Sequence, residues 1–353
     1  MPDWTKPMQQ TYEFYTVDPG TWKDVKPLNC VISCTINRDS EAETLGSATF
    51  QLTETITESY VRVYLITIQN GVKEKHPLGT FLAQTPSSDF DGKVIDASVD
   101  AYTPLIELKE KQPPIGYFVN LKEDTLTQAG LLTADHARAP VVTITDDNSK
   151  AKGNFVADTD DTWLTFISDL LSNEKYIFDL DEMGRILFKS KPELKKLQPV
   201  WTYNDDNSSI LQPELTIDQD IYGIPNVVEV IYSTGTKTYY SRQINDDKNS
   251  IVSIPSRGRE IVHRVTDPNL VGASSQEEVD DYARQLLSEL STIEATASYS
   301  HGYCPVRLGD CVRLNYTRAK IRNIKAKVIS QSIECKPGCP VKEKAVFITK
   351  LWR

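Results

Sequence analysis

The sequence predicts a mainly β protein with an α+β middle. Runs that alternate apolar and polar residues with a period of two lie toward both ends of the chain. Helical spacing of three and four is confined to segments between them, and Asn-Gly, Asp-Gly and Pro-Gly turns punctuate the runs.

In the first third, Cys30, Ile32, Cys34 and Ile36 alternate with Val31, Ser33 and Thr35, which predicts a strand that buries the first set. Strands through Ala48, Phe50 and Leu52 and through Val61, Val63 and Leu65 follow. Asn70-Gly71 and Asp91-Gly92 supply the positive φ of tight hairpins. This is the pattern of a small antiparallel barrel or sandwich ending near Pro104 and the Pro113-Pro114 pair, since proline has no donor for ladder pairing. The aromatic-rich start, with Trp4, Tyr12, Phe14, Tyr15 and Trp22, is either an arm or a first strand.

Helical composition then appears from Thr125 to Ala134. It recurs from Asp160 to Leu171, where Trp163, Phe166, Ile167, Leu170 and Leu171 form one stripe behind a Thr159 or Asp160 cap. A hairpin of Tyr176 to Phe178 and Ile186 to Phe188, turning at Gly184, is expected to pack on that helix. Strands return around Val227 to Ile231, with turn chemistry at Ser233 to Gly235. The clearest helix follows: Ser274 with Glu277, or Ser275 with Glu278, forms a capping box before Val279, Tyr282, Ala283, Leu286, Leu287 and Leu290. From Ala295 onward the pattern is strand and turn again.

A length of 353 residues implies two or three domains, and 39% hydrophobic with 25% charged residues excludes a disordered or collagenous chain. No run approaches the about 18–20 apolar residues of a membrane helix, and the start lacks signal-peptide character, so a soluble, non-exported protein without membrane insertion is expected. The net charge of −10 disfavours wrapping onto nucleic acid. Six cysteines in such a chain are expected to be thiols rather than a disulfide scaffold, although Cys335 and Cys339 flank a turn that would bring them close.

Candidate chemistry is sparse. Cys30 with Cys34 and Cys335 with Cys339 have permissible zinc spacing, but the first pair has core periodicity. Asp179, Asp181 and Gly184 miss two ligand positions of a calcium loop. His301 and Cys304 are near in sequence without the rest of a nucleophilic site, and no nucleophile elbow, zinc-protease motif or phosphate loop occurs. Asp158, Asp160 and Asp161 beside Trp163 could serve a glycan hydrolase, but they also suit a helix N-terminus. No catalytic, metal-binding or cofactor residue is assigned. One charge feature breaks the acidic background: Arg313, Arg318, Lys320, Arg322, Lys325 and Lys327 occur with no acidic residue between them. This is either a patch that docks an acidic partner or a hairpin whose cations guard a sheet edge.

The segment Pro305-Val306-Arg307-Leu308-Gly309-Asp310-Cys311-Val312-Arg313-Leu314, followed by Ala326-Lys327-Val328-Ile329-Ser330-Gln331-Ser332-Ile333, resembles the second tube barrel of phage baseplate or tail-tip hub proteins, the late control protein D type among them. Asn226-Val227-Val228-Glu229-Val230, the Ser274 to Leu290 helix and Leu78-Gly79-Thr80-Phe81-Leu82 stand in matching order. The resemblance implies two tube-type antiparallel β-barrels with an inserted mixed α+β domain. On this basis 1–112 form the first barrel with an N-terminal arm, 113–221 plus 255–292 the middle domain, and 222–254 plus 293–353 the second barrel. It also implies a non-enzymatic homotrimer in a virion tail, assembled in the host cytoplasm. Its implied partners are a distal tail or tube protein, a tip, spike or fibre protein and a tape measure protein, with DNA only in passage and no cofactor. A cell-wall glycan hydrolase and a glycan-binding tail adhesin are the alternatives.

Overall fold

The structure, a computed structural model, describes residues 2–90, 95–120, 123–144, 149–151, 154–191, 194–206, 209–234, 236–266, 268, 275–319 and 321–350. The Asp91-Gly92 turn, Gly235, Ser274 and Lys320 lie outside them.

The first strands are β1 (Gln9–Val17), β2 (Asp24–Pro27), β3 (Val31–Asp39), β4 (Gly46–Leu52), β5 (Ser59–Gln69), β6 (Val72–Phe90) and β7 (Ile95–Tyr102). A mixed stretch follows: α1 (Ile106–Lys109), β8 (Phe118–Val119), α2 (Thr125–His136), β9 (Val141–Val142), β10 (Phe155–Val156), α3 (Trp163–Asn173), β11 (Tyr176–Leu180) and β12 (Ile186–Ser190). Next come β13 (Pro199–Asn204), β14 (Leu211–Gln219), β15 (Val227–Ser233), β16 (Thr238–Ile244), α4 (Ile254–Arg257), β17 (Val262–Thr266) and α5 (Gln276–Leu290). The chain closes with β18 (Thr292–Gly302), β19 (Cys311–Asn315), β20 (Ile324–Glu334) and β21 (Pro340–Lys350). The class is the expected one, mainly β with helices in the middle.

The chain divides into two compact units, 1–214 with 299–344 and 215–298 with 345–353. In the first, neighbouring strands run β20-β3-β4-β7-β6-β5-β1-β2, all antiparallel, while β19 pairs antiparallel with β20 and parallel with β13. β4 keeps its period, with Ala48, Phe50 and Leu52 buried. In β3, Cys34 and Ile36 are buried but Ile32 is 64% exposed. The pairing register with β4 slips between Val31 and Ser33, and a one-residue slip turns a side chain to the other face. Asn70 and Gly71, both at positive φ, close the β5–β6 hairpin as expected. The N-terminal segment is a strand, since β1 pairs with β5 along its whole length.

No core boundary falls at residue 112. Val17, Trp22, Tyr60 and Leu82 share one apolar cluster with Leu105, Leu126, Phe166, Ile167, Leu170 and Phe188, because the helix stripes need a cover that the first strands supply. The α3 cap is Thr162 rather than Thr159 or Asp160: its hydroxyl accepts from the Thr165 N–H at 3.2 Å, and the Thr162 N–H donates to Thr165 Oγ1 at 2.9 Å. The β11–β12 hairpin turns at Gly184, whose φ is +75° and where a Cβ would lie 2.7 Å from Thr80 Cβ. Gly184→Ala is therefore expected to destabilise the chain by about 2–3 kcal/mol from left-handed strain plus overpacking. An unchanged urea midpoint would show that the turn relaxes instead.

In the second unit the order is β16-β15-β17, with β15–β16 antiparallel and β15–β17 parallel. Val228 and Val230 meet Val279, Ala283 and Leu287 of α5. That helix is capped by Ser275 with Glu278, one of the two predicted boxes. Residues on both sides of position 254 share this sheet and this core. The reason is physical: β15 lacks a buried face until α5 covers it. No helix among the described residues is long and apolar enough to cross a membrane.

Candidate partner-docking surface

Half of the basic run lies on strands: Arg313 on β19, and Lys325 and Lys327 on β20. Val312, Leu314, Ala326 and Val328 are buried, so strand alternation turns Arg313, Lys325 and Lys327 to the opposite face. The register sets Arg313 directly across from Lys325, and Lys327 across from Cys311. Thr202 stands beside Arg313 on the β13 side, and Asn204 beside Asn315, whose amide donates to Asn204 Oδ1 at 2.8 Å. Lys325 Nζ donates to the Leu197 carbonyl at 3.1 Å, and Arg313 Nε is buried with no partner among the described residues. Arg318 is exposed in the turn after β19, its backbone N–H donating to Asp205, and Arg322 is exposed before β20. The Cys311 thiol is pushed up by burial, against the lowering field of Lys325 and Arg313. Like charges across a ladder repel. Thr202 and Asn204 were missed in sequence because only the pairing brings β13 beside the run.

Asp158, Asp160 and Asp161 line a cleft of about 710 Å³ with Glu41, Glu43, Asp169, Lys189, Lys191 and Lys327. Asp161 is occupied: it accepts from the Asp158 N–H at 2.8 Å and from the Thr165 hydroxyl at 2.9 Å, bracing the α3 cap. Burial, with the charges of Asp161 and Asp158, raises the Asp169 carboxyl. In the predicted calcium-like loop, Asp181 accepts from the Arg185 N–H and guanidinium and so holds the hairpin turn.

His301 and Cys304 do come together, though in the buried interior. His301 is fully buried; its Nδ1 lies 2.7 Å from the Gly302 carbonyl and 4.0 Å from Cys304 Sγ. Its Nε2 is 3.1 Å from Tyr203 Oη and 3.4 Å from Glu343 Oε2. Tyr299 donates to Glu343 Oε1 at 2.5 Å, and Gln331 Nε2 donates to Glu343 Oε2 at 2.6 Å. Burial alone would lower His301, but contacts with Cys304 and Glu343 raise it to about 10. The Glu343 carboxylate beside the ring thus favours its charged form. Both side chains are buried, and the ring is already engaged by Tyr203, Glu343 and the Gly302 carbonyl.

All six cysteines are buried thiols. Cys34 sits opposite Cys335, whose N–H donates to the Cys34 carbonyl at 2.8 Å. Burial and the neighbouring Cys335 push the Cys34 thiol up, and Cys339 is raised by burial to about 12, so neither is a ready nucleophile. Among the described residues no group of three His, Cys, Asp or Glu side chains could hold a metal ion.

No family model and no curated protein matches the chain. Solved structures do. The tail protein from Neisseria meningitidis MC58 is 12% identical with a TM-score of 0.62, over 95% of this chain and 96% of that one. The prophage MuSo2 43 kDa tail protein from Shewanella oneidensis is 12% identical with a TM-score of 0.58, over 96% and 98%. A chain of the Francisella PdpA-VgrG complex is 9% identical with a TM-score of 0.53, covering 97% of this chain and 58% of that one. At these identities the likeness is one of fold.

Proposed function

From a fold held in common with solved tail proteins, we propose that this chain is a structural, non-enzymatic hub of a phage-type tail. Three copies form a pseudo-sixfold ring that joins the tail tube to a threefold tip, spike or fibre and lines the DNA conduit. Its neighbours are a distal tail or tube protein and a tip or spike protein, with a tape measure protein passing through. The protein resides in the virion tail and assembles in the host cytoplasm. What carries the reading is mutual coverage: two tail proteins match end to end, at 96% and 98% of their own lengths. The chemistry agrees, since the His301–Cys304 pair is buried and Asp161 braces a helix cap. The net charge of −10 suits a conduit through which phosphates slide without sticking.

Light scattering behind size exclusion tests the ring. The expected mass is three times 39.8 kDa, for the chain alone or mixed with its tube and tip partners. A monomer in both preparations at every concentration would overturn it.

A further inference from the structure

We propose that the cation face of β13, β19 and β20 docks an extended protein segment bearing carboxylates at alternate positions. Two uses of this face compete: guarding a sheet edge and receiving a partner. The pairing removes the first for Arg313, because β19 is bonded on both sides, by β13 and β20, and has no open edge to guard. Lys327 borders the acidic cleft described above, but no carboxylate among the described residues pairs with the cations. Among the described residues Arg313, Arg318, Arg322, Lys325 and Lys327 form no ion pair, in a chain that carries ten more negative than positive charges. Arg313 and Lys325 stand opposed on a ladder, where like charges are unfavourable, and Arg313 Nε is buried with no acceptor among the described residues. A bound carboxylate relieves both.

The spacing names the occupant. Lys325 and Lys327 are two residues apart on one strand, so their Cα atoms are separated by roughly 6.8 Å, and alternate residues of a docked extended segment repeat that spacing. Thr202 and Asn204 flank the cations with a hydroxyl and an amide nitrogen that can take up the segment's remaining polar groups. A nucleic acid is the poorer fit, since its dense phosphates meet the long-range repulsion of the whole acidic chain, whereas a short acidic segment meets mainly the local field. The proposal stands whether or not the chain is a tail hub.

Labelled poly-L-glutamate and a single-stranded DNA 20-mer serve as probes, titrated by fluorescence anisotropy against the full chain. Poly-L-glutamate is expected to bind, to weaken with salt, and to lose about tenfold or more in affinity when Arg313→Gln, Lys325→Gln and Lys327→Gln are combined. A control combining Lys23→Gln, Lys237→Gln and Lys248→Gln changes net charge equally and is expected to lose much less. The single variant Lys327→Glu, at a half-exposed position, is expected to weaken binding on its own and guards against misfolding of the triple variant. Three results would overturn the proposal: no poly-L-glutamate binding by the wild type, equal losses in the patch and control variants, or tighter binding of the oligonucleotide through the same residues.

Discussion

Glu343→Ala is expected to remove about 3–5 kcal/mol of folding stability, the range for breaking a buried ion pair from one side. The substitution leaves His301 without its carboxylate, Tyr299 Oη without an acceptor, and Gln331 Nε2 with the Val306 carbonyl alone. Urea unfolding measures it, and a loss under about 1 kcal/mol would mean that His301 is neutral and the network an ordinary hydrogen-bonded core. The pH dependence follows from the same pair. An unfolded histidine titrates near 6.5, whereas folded His301 is raised to about 10. A raised pKa means that the folded state holds the proton more tightly. The contribution is therefore complete below about pH 6.5 and is lost progressively as pH rises through about 10. Wild-type stability should fall between about pH 6.5 and pH 9, and Glu343→Gln should flatten that slope. A slope that Glu343→Gln leaves untouched would assign it to other groups.

Arg62→Ala is expected to be comparably costly, about 3–5 kcal/mol, because it removes the hub of another buried network. Arg62 is 1% exposed. Its Nε donates to Thr80 Oγ1 and its Nη1 to Asp24 Oδ1, both at 2.8 Å, and its Nη2 donates to the Met183 carbonyl at 3.1 Å. One guanidinium thus ties β2, β5 and β6 to the β11–β12 turn, where Trp22 Nε1 also donates to the Met183 carbonyl at 2.7 Å. Arg62→Lys should recover only part of the loss, since an ammonium cannot span the same fork of acceptors. Full recovery by lysine in urea melts would reduce the role of Arg62 to that of a point charge.

Much of the fold was legible because its causes are local. The Ser275–Glu278 box and the Val279, Ala283, Leu287 stripe lie within one helix, and the Asn70-Gly71 turn needs nothing beyond its own dihedrals. Where a pattern depended on a neighbour it misled. Ile32 has the right period for burial, but a slip against β4 turns it outward. The basic run was visible as a run, whereas its placement on a doubly paired strand was not.

Sequence alone determined the class, the α5 helix with its cap, the hairpins at Asn70-Gly71 and Gly184, the acidic balance and the basic run after Arg313. Only the tertiary structure decided which segments share a core, that Cys34 meets Cys335 rather than Cys30, and that His301 finds Glu343 forty-two residues away. The division has a physical cause. Propensity, capping and turn preference act over a few residues and leave their mark on adjacent positions. Strand pairing and the satisfaction of buried charge act across any separation, and nothing in neighbouring residues records the partner.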